Sequence, residues 1–233
     1  MAMLCGADSP ITQTFGLGLW EPVGTAEFDR LEGFFLERGA HVHHEISPLA
    51  DKELWPQIAD RGYAAIEFTS VMFQELAFLQ PAPEDGEVQI RVATAQDREV
   101  YIRTSLAGWS HVPDIEELVG PMMDTAFSAK GAVLFLAEKD GIAIATGGLN
   151  IHGGVALLAG ASTIPEARRQ GAQRALLSVR LKYAREAGCD IAAIGAEPGS
   201  ASQRNAERQG FRIAYTRTKW ELRKNSGIMA GHA

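Results

Sequence analysis

The chain has 233 residues, of which 46% are apolar and 22% charged, with a formal net charge of −7 and two cysteines, Cys5 and Cys189. That length holds one or two domains with buried cores, and the composition excludes disordered, collagen-like and coiled-coil classes. The negative balance argues against nucleic acid as partner, the cysteine count points to a reducing cytoplasm, and neither a membrane span nor a secretory leader is expected.

In chain order, residues 11–19 read as a strand, 25–38 as a helix, 42–46 as a strand, 52–60 as a helix and 63–76 as a strand. Residues 80–87 hold two prolines, one glycine and three acids without apolar periodicity, which is linker chemistry. After it come a strand over 88–93, a helix capped by Asp97 and running towards Trp109, and a helix from Pro113-Asp114 to about Ser128. Residues 132–138 and 142–149 flank Lys139-Asp140-Gly141 as a hairpin, and 155–164 form a third strand. Ala172, Leu176, Val179, Tyr183 and Ala187 recur at helical spacing and Gly188 stops that helix. A strand over 190–196, a short helix over about 202–209 and a strand over 211–222 complete the chain.

The order βααβββαβαβ after the linker predicts an α/β fold, a mixed twisted sheet with helices on both faces. The first 80 residues repeat only its latter part. Gly39 answers Gly188, Pro48 answers Pro198, and Gly62-Tyr63 answers Gly210-Phe211, a degenerate duplication unless so thin a pattern is coincidence. The expected organisation is a truncated domain at 1–80, a linker at 81–87, a complete domain at 88–224 and a tail at 225–233.

Charge is uneven along the chain. Residues 165–224 carry 13 Lys+Arg against 6 Asp+Glu. Within them, a strand ends at Ile164-Pro165 and a helix opens around Gly171, between Arg168, Arg169 and Arg174. First-turn amides without intrahelical partners, a glycine that admits close approach and the helix dipole together suit a pyrophosphate. Neither the G-x-G-x-x-G fingerprint nor a P-loop lysine is present.

The segment resembles motif A of the GNAT superfamily of acyl-CoA N-acyltransferases, Arg/Gln-x-x-Gly-x-Gly/Ala. Arg168, Gly171 and Gln173 stand at its three defining positions, with Gln173 departing from the usual Gly or Ala. The run Ser202-Gln-Arg-Asn-Ala-Glu-Arg-Gln-Gly-Phe211 is similar to the family's motif B. The resemblance covers 88–224 as a complete unit and 11–76 as a unit lacking its early elements, a plan similar to tandem members such as mycothiol synthase.

The resemblance implies acetyl-CoA as co-substrate, in a V between the strands at 155–164 and 190–196. Backbone groups of Ala161, Ser162 and Thr163 would meet the pantetheine arm. Arg168, Arg169, Gln170, Gly171, Ala172, Gln173 and Arg174 would hold the pyrophosphate. Gly160 marks either a bulge that splays the strands or a small residue under a helix. Ser202 would cap the short helix and reach the cofactor, or cap it only. The corresponding stretch of the first half, 19–28, offers two glutamates and no arginine, so no second CoA site is expected there.

Catalytic residues are not identified. The family often carries an acid tyrosine where this chain has Ala206, and the strand at 155–164 holds no carboxylate base. Tyr215 and Ser202 are substitute acids, against core packing and capping. Glu197 is the nearest base, against a solvated loop residue. His41 and His43 share one strand face, His44 the other; without a third ligand from spacing, no metal is expected. Trp109-Ser-His111, with Asp114, Glu116 and Glu117 beyond it, suggests a cationic acceptor unless those acids only solvate a helix start.

These readings imply N-acetyl transfer from acetyl-CoA to an amine of a small molecule or peptide, with no nucleic-acid or membrane partner; a homodimer is compatible with them. A non-catalytic acyl-CoA-binding or sensor protein is the rival, and an interaction scaffold without CoA affinity the third reading.

Overall fold

A computed structural model describes residues 1–79 and 87–223. The linker expected at 81–87, Glu87 excepted, and the tail at 225–233 lie outside the described residues. The elements run β1 (Ala2–Met3), β2 (Gln13–Phe15), α1 (Thr25–Leu36), β3 (His43–Ile46), α2 (Leu54–Asp60), β4 (Tyr63–Glu75) and β5 (Gln89–Val92). Then follow α3 (Arg98–Gly108), α4 (Ile115–Ala126), β6 (Ala132–Lys139), β7 (Ile142–His152), β8 (Val155–Thr163), α5 (Ala172–Glu186), β9 (Ile191–Ala196), α6 (Ala201–Arg208) and β10 (Arg212–Leu222). Among the described residues no helix is long and apolar enough to cross a membrane.

The chain forms two compact units, Met1–Ser70 with Tyr215–Ala233, and Val71–Ala214. Both limits fall inside long strands, β4 and β10, so these units and the sequence segments 1–80 and 88–224 have different limits.

In the first unit β1 pairs antiparallel with β2, β2 parallel with β3, and β3 antiparallel with the end of β10. The strand expected over 11–19 is only three residues long, because Gly16 and Gly18 both take φ +70° and leave the extended region. Phe28 and Phe35 of α1, Leu54 and Ile58 of α2 and Ile46 of β3 are fully buried together, each burial contributing about 1.5–3 kcal/mol. His44 is buried among them. Its Nδ1 lies 2.8 Å from Thr14 Oγ1 and its Nε2 2.8 Å from Tyr63 Oη. Tyr63 donates its hydroxyl hydrogen to Glu32, so it accepts from His44 Nε2–H, and Thr14 then donates to Nδ1. A neutral imidazole satisfies every group in that chain.

The second unit orders its strands β9-β8-β7-β6-β5, all antiparallel except the β8–β9 pair. Alternation along β6 sends Leu134 and Leu136 to Tyr101 of α3, and Phe135 and Ala137 to the cluster around Leu176 and Leu181 of α5. Helices therefore cover both faces of a mixed sheet, as the element order predicts. On the α3 side the approach is close: a Cβ added at Gly108 would lie 2.6 Å from Ser162 Cβ. On the α5 side, Arg180 is 2% exposed. Its Nε donates to Leu176 O and its Nη1 to Gly148 O, while its Cζ would lie 3.1 Å from a Cβ at Gly147. Burial lowers its pKa to about 10, which leaves it charged at neutral pH.

Candidate functional site

The β8–β9 ladder is short. Parallel pairing runs from Val155↔Ile191 to Leu158↔Ile194, although β8 continues to Thr163 and β9 to Ala196. The reason lies on the other side of β8. Between Thr146↔Ser162 and Gly148↔Ala159 the register shifts, so Gly160 and Ala161 oppose Gly147 alone. Gly160 takes φ +63°, a conformation that glycine adopts without a Cβ penalty. The bulge turns the end of β8 away from β9, and its unpaired edge from Ala159 to Thr163 lines a V.

At the mouth of the V the chain makes one 3-10 turn, Pro165–Ala167, and enters α5 at Gly171, the N-cap residue, with φ +86°. Nothing stands within 4 Å of a Cβ placed there, so the space before the first-turn amides is open. Arg169 also takes a left-handed φ of +64°. Successive amides in such a turn face one concavity, next to the positive end of a 15-residue helix.

The expected site residues divide by what their side chains do. Arg168 Nη2 donates to Gly108 O at 3.0 Å and its Nε to Thr163 O, fastening the turn to the end of α3. Arg169 and Arg174 are exposed and make no ion pair among the described residues. Gln170 donates to Glu166 O and accepts from Lys139, and Ala172 is buried. Gln173 Nε2 donates to Thr163 Oγ1 at 2.7 Å. Ser162 is buried, its Oγ bonded to Ser105 O and Thr146 Oγ1, so only its backbone borders the V. A cavity of about 1250 Å³ lies along α5 outside the V, between Gly171, Arg174 and Ser178 on one side and Phe73, Val88 and Arg91 on the other, and no residue of β8 or β9 lines it.

Ser202 does not cap α6. Ser200 does: it is extended (φ −72°, ψ 165°) and its Oγ accepts from Gln203 N at 3.1 Å. The turn Glu197-Pro198-Gly199 delivers the chain into the helix two residues earlier than the sequence suggests, leaving Ser202 exposed in the first turn. Glu197 is exposed in that turn, and Ala206 is buried. Tyr215 is half-buried on β10 in the first unit. Between α3 and α4, Trp109 and His111 stack with ring centroids 6.0 Å apart. Asp114, Glu116 and Glu117 are exposed at the start of α4.

Residues 98–211 match the model of the Acetyltransferase (GNAT) family. That match takes in most of the second unit. A GCN5-related N-acetyltransferase from Kribbella flavida is similar in structure, with a TM-score of 0.68 and 20% identity over 97% of this chain and 86% of its own. One from Sphaerobacter thermophilus gives 0.67 and 18% over 90% and 70%. A tandem GNAT protein from the clavulanic acid biosynthesis pathway gives 0.62 and 12% over 85% and 70%. At these identities the likeness is one of fold. In sequence the chain matches no curated protein.

Proposed function

We propose that the GNAT domain binds acetyl-CoA in the V and transfers its acetyl group to an amine of a small molecule or peptide. The observation that carries this reading is the conjunction of two features at one place, the end of β8–β9 pairing at Leu158↔Ile194 and the open, glycine-capped start of α5. The residues fit the group. Amides from Arg169 to Arg174 and the unpaired guanidiniums of Arg169 and Arg174 suit a diphosphate. The free edge of β8 at Ala161–Thr163 suits the amides of a pantetheine arm.

In the proposed reaction a neutral amine nitrogen attacks the thioester carbonyl carbon. The C–N bond forms, the C–S bond breaks and the thiolate leaves; the proton lost by nitrogen passes through water to sulfur. The thiolate is a good leaving group, so alignment of the two reactants against β8 supplies much of the acceleration. Trp109 and His111, beside the acidic start of α4, favour a cationic acceptor. The buried thiol of Cys189, its pKa raised by burial, fits a reducing cytoplasm.

The first unit we read as a truncated GNAT-like half. Its order β2-α1-β3-α2-β4 repeats β8-α5-β9-α6-β10, and β2 and β3 are parallel as β8 and β9 are. The helix ends agree in detail: Ala40 N bonds Phe35 O beyond Gly39, as Cys189 N bonds Ala184 O beyond Gly188.

A second reading, a non-catalytic acyl-CoA sensor, is favoured by Ala206 and by the absence of a carboxylate from β8. Calorimetry with CoA and acetyl-CoA, followed by CoA release across an amine panel, tests both. Binding with turnover supports transfer, and binding without turnover on any amine supports the sensor. No heat and no thermal shift at millimolar ligand would overturn both.

A further inference from the structure

The geometry points to a divalent metal site of the zinc class in the first unit, formed by His41, His43 and Glu221. Spacing alone supplies only the two histidines; the third donor comes from the register of β3 with β10, in which His43 and Glu221 are direct partners and Leu222 N bonds Val42 O. Glu221 Oε1 lies 3.3 Å from His43 Nε2 and 3.6 Å from His41 Nδ1, and all three atoms fall within 4.8 Å of one another. Donors about 2.0–2.2 Å from a tetrahedral zinc stand roughly 3.3–3.6 Å apart, so the two measured edges already have the spacing a bound ion requires.

The two imidazoles stack 5.8 Å apart and within 7° of parallel, so a turn of one ring about its χ2 is what brings both in-plane lone pairs onto one point beside Glu221. Arg223 Nη1 holds Glu221 Oε2 at 2.5 Å, which leaves Oε1 as the one oxygen turned to the histidines. That is how a carboxylate ligand is oriented by an outer hydrogen bond. Two imidazoles and one carboxylate favour zinc over the hard cations magnesium and calcium. The His41 side chain is 63% exposed, so water reaches the fourth position and the ion has an entry path.

The test is calorimetric titration of the full, chelator-treated chain with zinc chloride, with magnesium chloride as the second arm. One zinc per chain is expected, with no magnesium binding and a rise in unfolding temperature that zinc alone produces. His41→Ala, at an exposed side chain, and Glu221→Gln are each expected to weaken zinc at least tenfold while circular dichroism stays unchanged. Absence of zinc binding, or binding that both variants retain within threefold, overturns the site; the latter would assign the ion to other donors. A fold lost in Glu221→Gln leaves the decision to His41→Ala.

Discussion

Gln173, in the first turn of α5, donates a 2.7 Å hydrogen bond to Thr163 Oγ1 at the end of β8, closing the two sides of the β8–α5 turn onto each other. The GNAT pattern has a small residue where this chain has Gln173. Here the longer amide links strand to helix. Thr163→Val keeps the shape and removes the acceptor. It is expected to lower the urea midpoint of the second unit by the equivalent of about 0.5–1.5 kcal/mol, and to weaken CoA a few-fold.

The three arginines of the turn are expected to separate in two assays. Arg169→Glu and Arg174→Ala should leave unfolding unchanged and weaken CoA, the charge reversal by more than about tenfold. Arg168→Ala should weaken CoA and also lower the thermal midpoint, because its guanidinium satisfies the carbonyls of Gly108 and Thr163. Differential scanning fluorimetry beside calorimetry reads both. An Arg168→Ala protein of unaltered stability would show that the fastening does not matter.

One CoA per chain is expected. On the reading of the first unit as a GNAT-like half, Gly24 at the start of α1 would take the place of Gly171, but its φ is −97° and its amide is already taken by Glu27 Oε2 at 3.0 Å. A carboxylate sits where a phosphate would bind. Calorimetric stoichiometry checks this, and two equivalent sites would contradict it.

Turnover is expected to survive the loss of either substitute acid. Ser202 is exposed and caps nothing, and Tyr215 lies in the first unit. Ser202→Ala and Tyr215→Phe should each keep measurable CoA release at saturating acetyl-CoA. A thousandfold fall in either, with unchanged affinity, would identify the acid.

Acid should destabilise the first unit through His44. Burial, with the nearby charges of His43 and Arg61, lowers its pKa from 6.5 to about 3. Below pH 6.5 the unfolded chain takes up a proton that the folded one refuses. Its contribution is therefore complete above that value and falls with pH by up to about 1.4 kcal/mol per unit towards pH 3. In denaturant titrations, His44→Gln should be less stable at pH 7 and show a shallower slope below pH 6.5.

Local signals carried most of the architecture. The Asp140-Gly141 hairpin, α5 with its Gly188 stop and the Gly171 turn were legible because each rests on residues adjacent in sequence. Ser200 was missed because two serines stand two apart, and only the backbone of Glu197-Pro198-Gly199 decides between them. Arg168 resembles its neighbours until α3 brings Gly108 beneath it. Glu221 meets His43 across 178 positions of chain, a relationship that register creates and spacing cannot reveal.

The buried Arg180 gives the β8–α5 turn its mechanical character. It bolts the middle of α5 to Gly148, beside the bulge that parts β8 from β9. A rotation of α5 about its axis would tear a desolvated cation from its carbonyls, so helix and bulge behave as one piece. The recess between them is therefore moulded before any ligand arrives, and little conformational freedom is left to surrender on binding.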